Sequence, residues 1–245
     1  MKRVLLEPAY VLHRRAYRET SFLVELFSKE HGRLTVIARG VRKARSATQG
    51  LLQPFIPLLV SWAGKGELMT LSHVEAAGEI RQLHGDMLFA GFYLNELLMA
   101  LLQRFDAHSN IYLTYAKALD KLANQELLQP TLRSFEKQLL EELGYGLLPK
   151  SPVSLHNMFL PDNYYRFVLE QGFVPSETSG HPTVFSGKSL LAIANEDWQV
   201  AGSLQDAKRL IRIVLAPLLG AKLIHSRRLF MIEKTVPQEE VSDAK

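Results

Sequence analysis

The sequence predicts an α+β protein, with an N-terminal five-stranded β-barrel followed by a helical domain that carries a small loop-rich insert. Three observations support this. Residues 8–80 alternate apolar and polar positions in short runs broken by turn residues. From about residue 84 the apolar spacing changes to the three-to-four residue period of helices. Residues 145–186 lose both periods and are rich in Pro, Gly, Ser and Asn.

The strands follow in order. "AYVLHRR" (9–15) is a first strand, and "SFLVELFS" (21–28) alternates before the turn "KEHG". "RLTVIARG" (33–40) alternates again, with Leu34, Val36 and Ala38 on one face and Arg33, Thr35, Ile37 and Arg39 on the other. "LLQPFIPLLVSW" (51–62) contains two prolines, which predicts an irregular or edge strand. "AGKG" makes a hairpin turn into the fifth strand, "ELMTLSHVEAAGEI" (67–80). Five short antiparallel strands in about 75 residues suit a closed barrel better than a sandwich.

The helices come next. "DMLFAGFYLNELLMALLQRF" spaces Leu88, Phe92, Leu97, Leu101 and Phe105 along a helix, with Asp86 as its expected N-cap. "NIYLTYAKALDKLAN" is a second helix, and "PTLRSFEKQLLEELG" a third, with Pro130 in its first turn and Gly144 at its end. The insert contains one expected hairpin, "YYRFVLEQGFV", held by Tyr164, Phe167 and Phe173. Helix resumes at 187–195. The last long helix is expected to start at Ser203, with Asp206 completing a capping box, and to kink or end at Pro217. The expected organisation is therefore a barrel at 1–80, helices at 81–144, the insert at 145–186, helices again at 187–234 and a polar, disordered tail at 235–245.

Composition narrows the chemistry. At 245 residues, two or three small domains are as reasonable as one. A content of 47% hydrophobic and 22% charged residues is that of an ordinary globular protein. The chain has no cysteine, which excludes disulfides, thiol catalysis and cysteine-ligated zinc or iron–sulfur sites. The start "MKRVLLEPAYVL" lacks a cleavage site and reads as mature sequence, and no apolar run is long enough to span a membrane. A pI near 9.2 favours an anionic partner without requiring one.

Motifs for catalysis are weak. The eight histidines are scattered, with no helical i, i+4 metal pair, and read as surface or turn residues. "SGKSLL" (186–191) resembles the end of a phosphate loop, but the position that needs the first glycine is Pro182, so Gly187 and Ser189 are read as a helix start. Neither a G-x-S-x-G elbow nor an H-E-x-x-H helix occurs. The pairs Glu141–Glu142 and Glu239–Glu240 read as solvated surface.

The basic residues carry more information. Arg33, Arg39, Arg42, Lys43 and Arg45 fall in thirteen residues; the last acid before them is Glu30 and the next is Glu67. A second cluster comprises Lys208, Arg209, Arg212, Lys222, Arg227, Arg228 and Lys234, against Glu233 alone. A basic run is often only a solvated loop. On a small barrel, a positive groove with aromatic faces is also how single-stranded nucleic acid is held. Tyr17, Phe22, Phe55 and Trp62 are the candidate faces, core packing being the competing role.

Several segments together resemble one family. "YVLHRRAYRETSFLVELFSKEHGRLTVIARGVRK", "LLQPFIPLLVSWAGKGEL", "GFYLNELLMALL", "LRSFEKQLLEELGYG" and "LLGAKLIHSRRLF", in that order, resemble the RecO family of bacterial recombination mediators, most closely its gammaproteobacterial branch. The resemblance implies an OB-fold barrel and a non-enzymatic protein of DNA repair and recombination; no cofactor is expected in this chain, and its expected location is the cytoplasm, associated with the nucleoid. It implies binding of single- and double-stranded DNA and strand annealing. It also implies action with single-strand-binding protein (SSB) and RecR to load the recombinase RecA. Many members carry a four-cysteine zinc site in the insert, which this chain cannot form. On this reading the DNA-binding residues are Arg33, Arg39, Arg42, Lys43, Arg45, Lys208, Arg209, Arg212, Arg227 and Arg228, with "ARSATQG" (44–50) as a flexible loop closing over DNA. The acidic SSB tail would enter a slot rimmed by Arg133 and Lys137 and lined by Leu97, Leu101 and Leu140. Two other readings remain: an RNA-binding barrel protein in RNA maturation, and a nuclease.

Overall fold

The structure is a computed structural model and describes residues 2–43, 46–80 and 82–226. Strands β1 (Lys2–Tyr17), β2 (Ser21–Ser28), β3 (Gly32–Ala38), β4 (Leu58–Gly64) and β5 (Leu68–Ala76) close a barrel in the order β1-β2-β3-β5-β4. Closure depends on β1, which is long enough to pair with β4 through its first half and β2 through its second; Ala9 meets both Leu58 and Ser28. The remaining seam, β3 against β5, is parallel. Leu34, Val36 and Ala38 point inside with Val11, Val24, Leu26, Leu58, Val60 and Trp62, all nearly or fully buried. The barrel with this strand order, followed by helices, is an OB-fold barrel.

Both prolines of the expected irregular strand lie before β4, where Pro54 and Pro57 shape the approach to it; β4 pairs on both sides, and its pairing with β5 shifts register between Ser61 and Trp62. The segment expected to be flexible is partly helical. Ala44 and Arg45 lie outside the described residues, but Ala47–Leu51 form the short helix α1. The Arg14 guanidinium donates to the carbonyls of Gln49 (3.0 Å) and Leu52 (2.9 Å), so a cation sits where a helix end leaves carbonyls unpaired.

Six further helices follow among the described residues: α2 (Gly85–Leu101), α3 (Ser109–Ala123), α4 (Leu128–Glu142), α5 (Pro152–Met158), α6 (Gly187–Asn195) and α7 (Ser203–Leu219). The α2 N-cap is His84, with Asp86 in the first turn, and the helix stops at Leu101, leaving Phe105 in a loop at φ 60°. Gly202, at φ 83°, is the α7 N-cap in place of Ser203; Asp206 pairs with Arg209 instead of closing a capping box. The helix continues past Pro217 to Leu219.

The insert has more regular structure than its composition suggests. After α5, strands β6 (Tyr164–Val168), β7 (Gly172–Ser176) and β8 (Val184–Ser186) form a sheet in the order β7-β6-β8. A period of two puts Tyr165 and Phe167 on one face and Tyr164 on the other. The residues that hold the insert are accordingly Tyr165, Phe167 and Phe173 with Phe159 and Phe185, whose rings meet at 5.0–6.2 Å, while Tyr164 is exposed. This aromatic group belongs to the same core as the helices.

The outer face of the barrel joins that core too. Tyr10, Leu12 and Phe27 pack on α2 and α3, with the Tyr10 ring 5.4 Å from Tyr112 and 5.1 Å from Tyr115. Asn95 ties the two parts together: its amide donates to the Leu12 carbonyl (2.9 Å) and its oxygen accepts from the Tyr115 hydroxyl (2.5 Å). Burial, then the charge of Asp120, pushes the Tyr10 phenol up to about 12. Burial also raises Tyr112 and Tyr115. In the unfolded chain these phenols ionise near pH 10. Above that pH the unfolded state loses protons that the folded state keeps, so stability falls as pH rises from about 10. We expect the urea midpoint to drop between pH 9.5 and 11, and to drop less in Tyr112→Phe. Equal pH dependence in the two proteins would mean these rings are not held as the packing indicates.

The β2–β3 turn packs closely on the loop between α2 and α3. Gly32 has φ 65°, and a Cβ there would lie 1.9 Å from the Asp106 carbonyl oxygen. Around it Ser109 Oγ donates to the Lys29 carbonyl (3.0 Å) and the Phe105 amide to the Arg33 carbonyl (2.9 Å). Gly32→Ala therefore adds a left-handed conformation to a backbone clash. We expect a loss of about 2–5 kcal/mol by chemical denaturation. A loss below about 1 kcal/mol would show that this approach is not close.

Candidate nucleic-acid interface

The barrel end opposite the Gly32 turn collects cations around aromatic rings. A register shift between Val11 and His13 sets Arg14 across from Val24 and Ala16 across from Phe22. Cross-strand partners share a face, so Arg14 and Phe22 are neighbours; the Arg14 guanidinium lies 5.0 Å from the Phe22 ring centre and that of Arg42 lies 5.9 Å away. Arg42 is held by its backbone amide on the Thr20 carbonyl (2.9 Å) and by its guanidinium on the Arg18 carbonyl (3.0 Å). Arg18 lies 5.2 Å from the Tyr17 ring centre. On the outer face, Arg15 is opposite Leu23, which is opposite Ile37, and Arg39 follows Ile37. Arg15, Arg18, Arg39, Arg42 and Lys43 are exposed, as is Glu19, the acid of the intervening turn.

This arrangement differs from the expected one in several places. Arg33 shares a face with Arg39 in the alternation, but six residues of strand separate them by about 20 Å. Arg33 lies at the helical end, where its guanidinium donates to the Met99 carbonyl at the end of α2 (2.7 Å). Burial pulls its pKa down, with Arg104 adding to this and Glu25 opposing it. Trp62 is inside the barrel and Phe55 packs on Phe92, so Phe22 and Tyr17 are the rings available at this end. Arg14, Arg15 and Arg18 were missed as binding candidates. The signal lies in "HRRAYRET" (13–20), whose first three residues close the expected first strand at Arg15 and whose Arg18 precedes Glu19.

The second cluster is dispersed by its partners. Arg209 donates to the Val184 carbonyl (2.7 Å), pairs with Asp206 (2.8 Å) and lies 4.3 Å from the Phe185 ring centre, tying α7 to β8. Lys222 donates to the Ala100 carbonyl at the end of α2 (2.7 Å). Lys208 and Arg212 are exposed on α7. Arg45, Arg227, Arg228, Lys234 and the tail 235–245 lie outside the described residues.

The expected peptide slot is also built differently. Leu97 and Leu140 are wholly buried in the helical core, and Leu101 is half-buried at the end of α2, so these three do not line an open groove. Arg133 is buried and pairs with buried Glu136 at 2.7 Å. Lys137 donates to the Ala194 carbonyl at the end of α6 (2.7 Å) and pairs with Glu196 (3.3 Å). Burial alone would raise the Glu196 carboxyl; hydrogen bonds from Ser134, Lys137 and Gln138 and the Lys137 charge hold it below its usual value. Among the described residues, no group of three or more His, Asp or Glu side chains is placed to hold a metal ion, and no helix is long and apolar enough to cross a membrane.

Comparison with known proteins identifies the family. The family model described as Recombination protein O N terminal matches residues 1–79, and Recombination protein O C terminal matches residues 82–227. The chain belongs to the RecO family. The boundary between the two RecO matches falls between β5 and α2, where barrel gives way to helices. Among curated relatives, a DNA repair protein RecO of Coxiella burnetii is 46% identical over 93% of this chain and 98% of its own length. The protein of the same name from Methylococcus capsulatus is 45% identical over 93% of each chain. That from Pasteurella multocida is 44% identical over 90% of this chain and 92% of its own.

Proposed function

We propose that this RecO-family chain acts in DNA repair and homologous recombination by binding DNA on the basic end of its barrel. The observation that supports this is the surface formed by Arg14, Arg15, Arg18, Arg39, Arg42 and Lys43 around Phe22 and Tyr17. Cations there neutralise phosphates, and the rings offer faces to bases. Annealing needs no catalytic group: two strands held on basic surfaces repel one another less and meet at a higher effective concentration. The same reading gives the chain SSB and RecR as partners in loading RecA, at the nucleoid. For the acidic SSB tail, Arg133 and Lys137 are the proposed cations. Each already holds a carboxylate, so the tail must displace one, and Glu196 on Lys137 is the more exposed of the two.

The test is anisotropy of a labelled 30-nucleotide single strand titrated at several salt concentrations. Single strands give a slope of roughly −0.7 per phosphate neutralised, so four to six contacts give about −3 to −4 in log–log form. Such a slope with intact DNA supports the surface. Absence of binding at low salt would reduce the cations to solvated surface.

A further inference from the structure

A cavity of about 370 Å³ opens at the seam between the barrel and α2. Leu12, Pro54, Phe92 and Met99 give it apolar walls, and Arg14 and Glu96 are its charged lining. Arg14 belongs also to the basic barrel end, through its place beside Phe22. The cavity therefore continues the proposed DNA surface inward. Exposed His13, Phe92 and His225 mark its mouth.

We infer that this cavity receives a single nucleobase from a strand lying on the barrel end, and that a single strand thereby gains a contact that a duplex on the same surface does not make. Its size is at the lower end of small-molecule pockets, about 300–1,000 Å³, which suits one heterocycle and excludes a helix or strand. Its lining suits a base better than a phosphate. The walls are apolar, and the Glu96 carboxylate repels anions while accepting from a base amino group. That carboxylate is held in place: Oε2 accepts from the Ser226 amide (3.0 Å) and hydroxyl (2.6 Å). A carboxylate has about four acceptor sites, so capacity remains for a base. The neighbouring Arg14 supplies the cation for the flanking phosphate. An unpaired base enters at little cost, whereas a duplex base must first be unstacked and unpaired.

The inference rests on DNA binding at the barrel end, and the experiment separates the two. Methyl-labelled methionine spectra of the full chain are recorded with a saturating 30-nucleotide single strand and with a blunt hairpin duplex. In parallel, Phe92→Ala is titrated with both DNAs. Base entry predicts a ring-current shift of the Met99 methyl with the single strand but not with the duplex. It also predicts a fivefold or greater loss of single-strand affinity in Phe92→Ala, with duplex affinity kept within twofold. A Met99 methyl unmoved by bound single strand overturns base entry, whatever the variant does, and leaves the basic surface standing. If the wild-type protein binds neither DNA, the surface and the cavity inference fail together.

Discussion

Glu136→Ala should lose about 3–5 kcal/mol of stability, because it leaves a buried cation without its carboxylate. Glu136 and Arg133 form a buried pair in α4 at 2.7 Å, and the Tyr93 hydroxyl donates to the second Glu136 oxygen at 2.5 Å. Removing the carboxylate strands a guanidinium that is 6% exposed, and takes the acceptor from a buried phenol. The Arg133 Nε has no hydrogen-bond partner among the described residues, so the cation depends heavily on Glu136. The double variant Arg133→Met, Glu136→Leu should recover most of the loss, because an apolar pair of similar volume avoids burying charge. Urea midpoints of the three proteins check this. Equal loss in the single and double variants would show that packing, not the stranded charge, sets the cost. The double variant also bears on the proposed tail site: if Arg133 meets the SSB tail, it should bind a tail peptide more weakly while remaining folded.

Much of the fold was legible because it depends on local pattern. The alternation at 33–39 fixed which residues of β3 enter the barrel, and the change to helical spacing located the start of the helices within a few residues. The misreadings have physical causes. Tyr164 and Phe167 are three apart, and a strand cannot point both to one face. Ser203 offered a capping hydroxyl, but its Oγ donates to the Asp197 carbonyl (3.4 Å) and a left-handed Gly202 took the cap. The site was less legible, because charge in a sequence does not reveal what it faces. Arg33, Lys137 and Lys222 each sit on a carbonyl at the end of a helix, and those helices are far away in the chain. Only tertiary structure brings them together. Arg14 and Phe22, eight residues apart across a turn, were within reach of a register argument once the hairpin was drawn.

The triple variant Arg39→Ala, Arg42→Ala, Lys43→Ala should bind single-stranded DNA about a hundredfold more weakly near 0.1 M salt. The figure follows from counterion release. Three lost contacts at roughly 0.7 each flatten the log–log salt slope by about 2, and that difference amounts to about two decades at this concentration. The loss should be the same for different sequences, since phosphates carry no base identity. The fold should survive, because all three side chains are exposed and the Arg42 contact to the Arg18 carbonyl lies at the surface. The proper comparison is Lys208→Ala, Arg212→Ala on α7, which removes exposed cations from the second cluster and leaves Arg209 in place on β8. A flattened slope in the triple variant alone places the phosphates at the barrel end. A flattened slope in the α7 variant alone moves the binding surface to the helices and removes the role proposed for Phe22 and Tyr17. Partial flattening in both means one strand crosses from barrel to helices, a path along which annealing could hold its second strand.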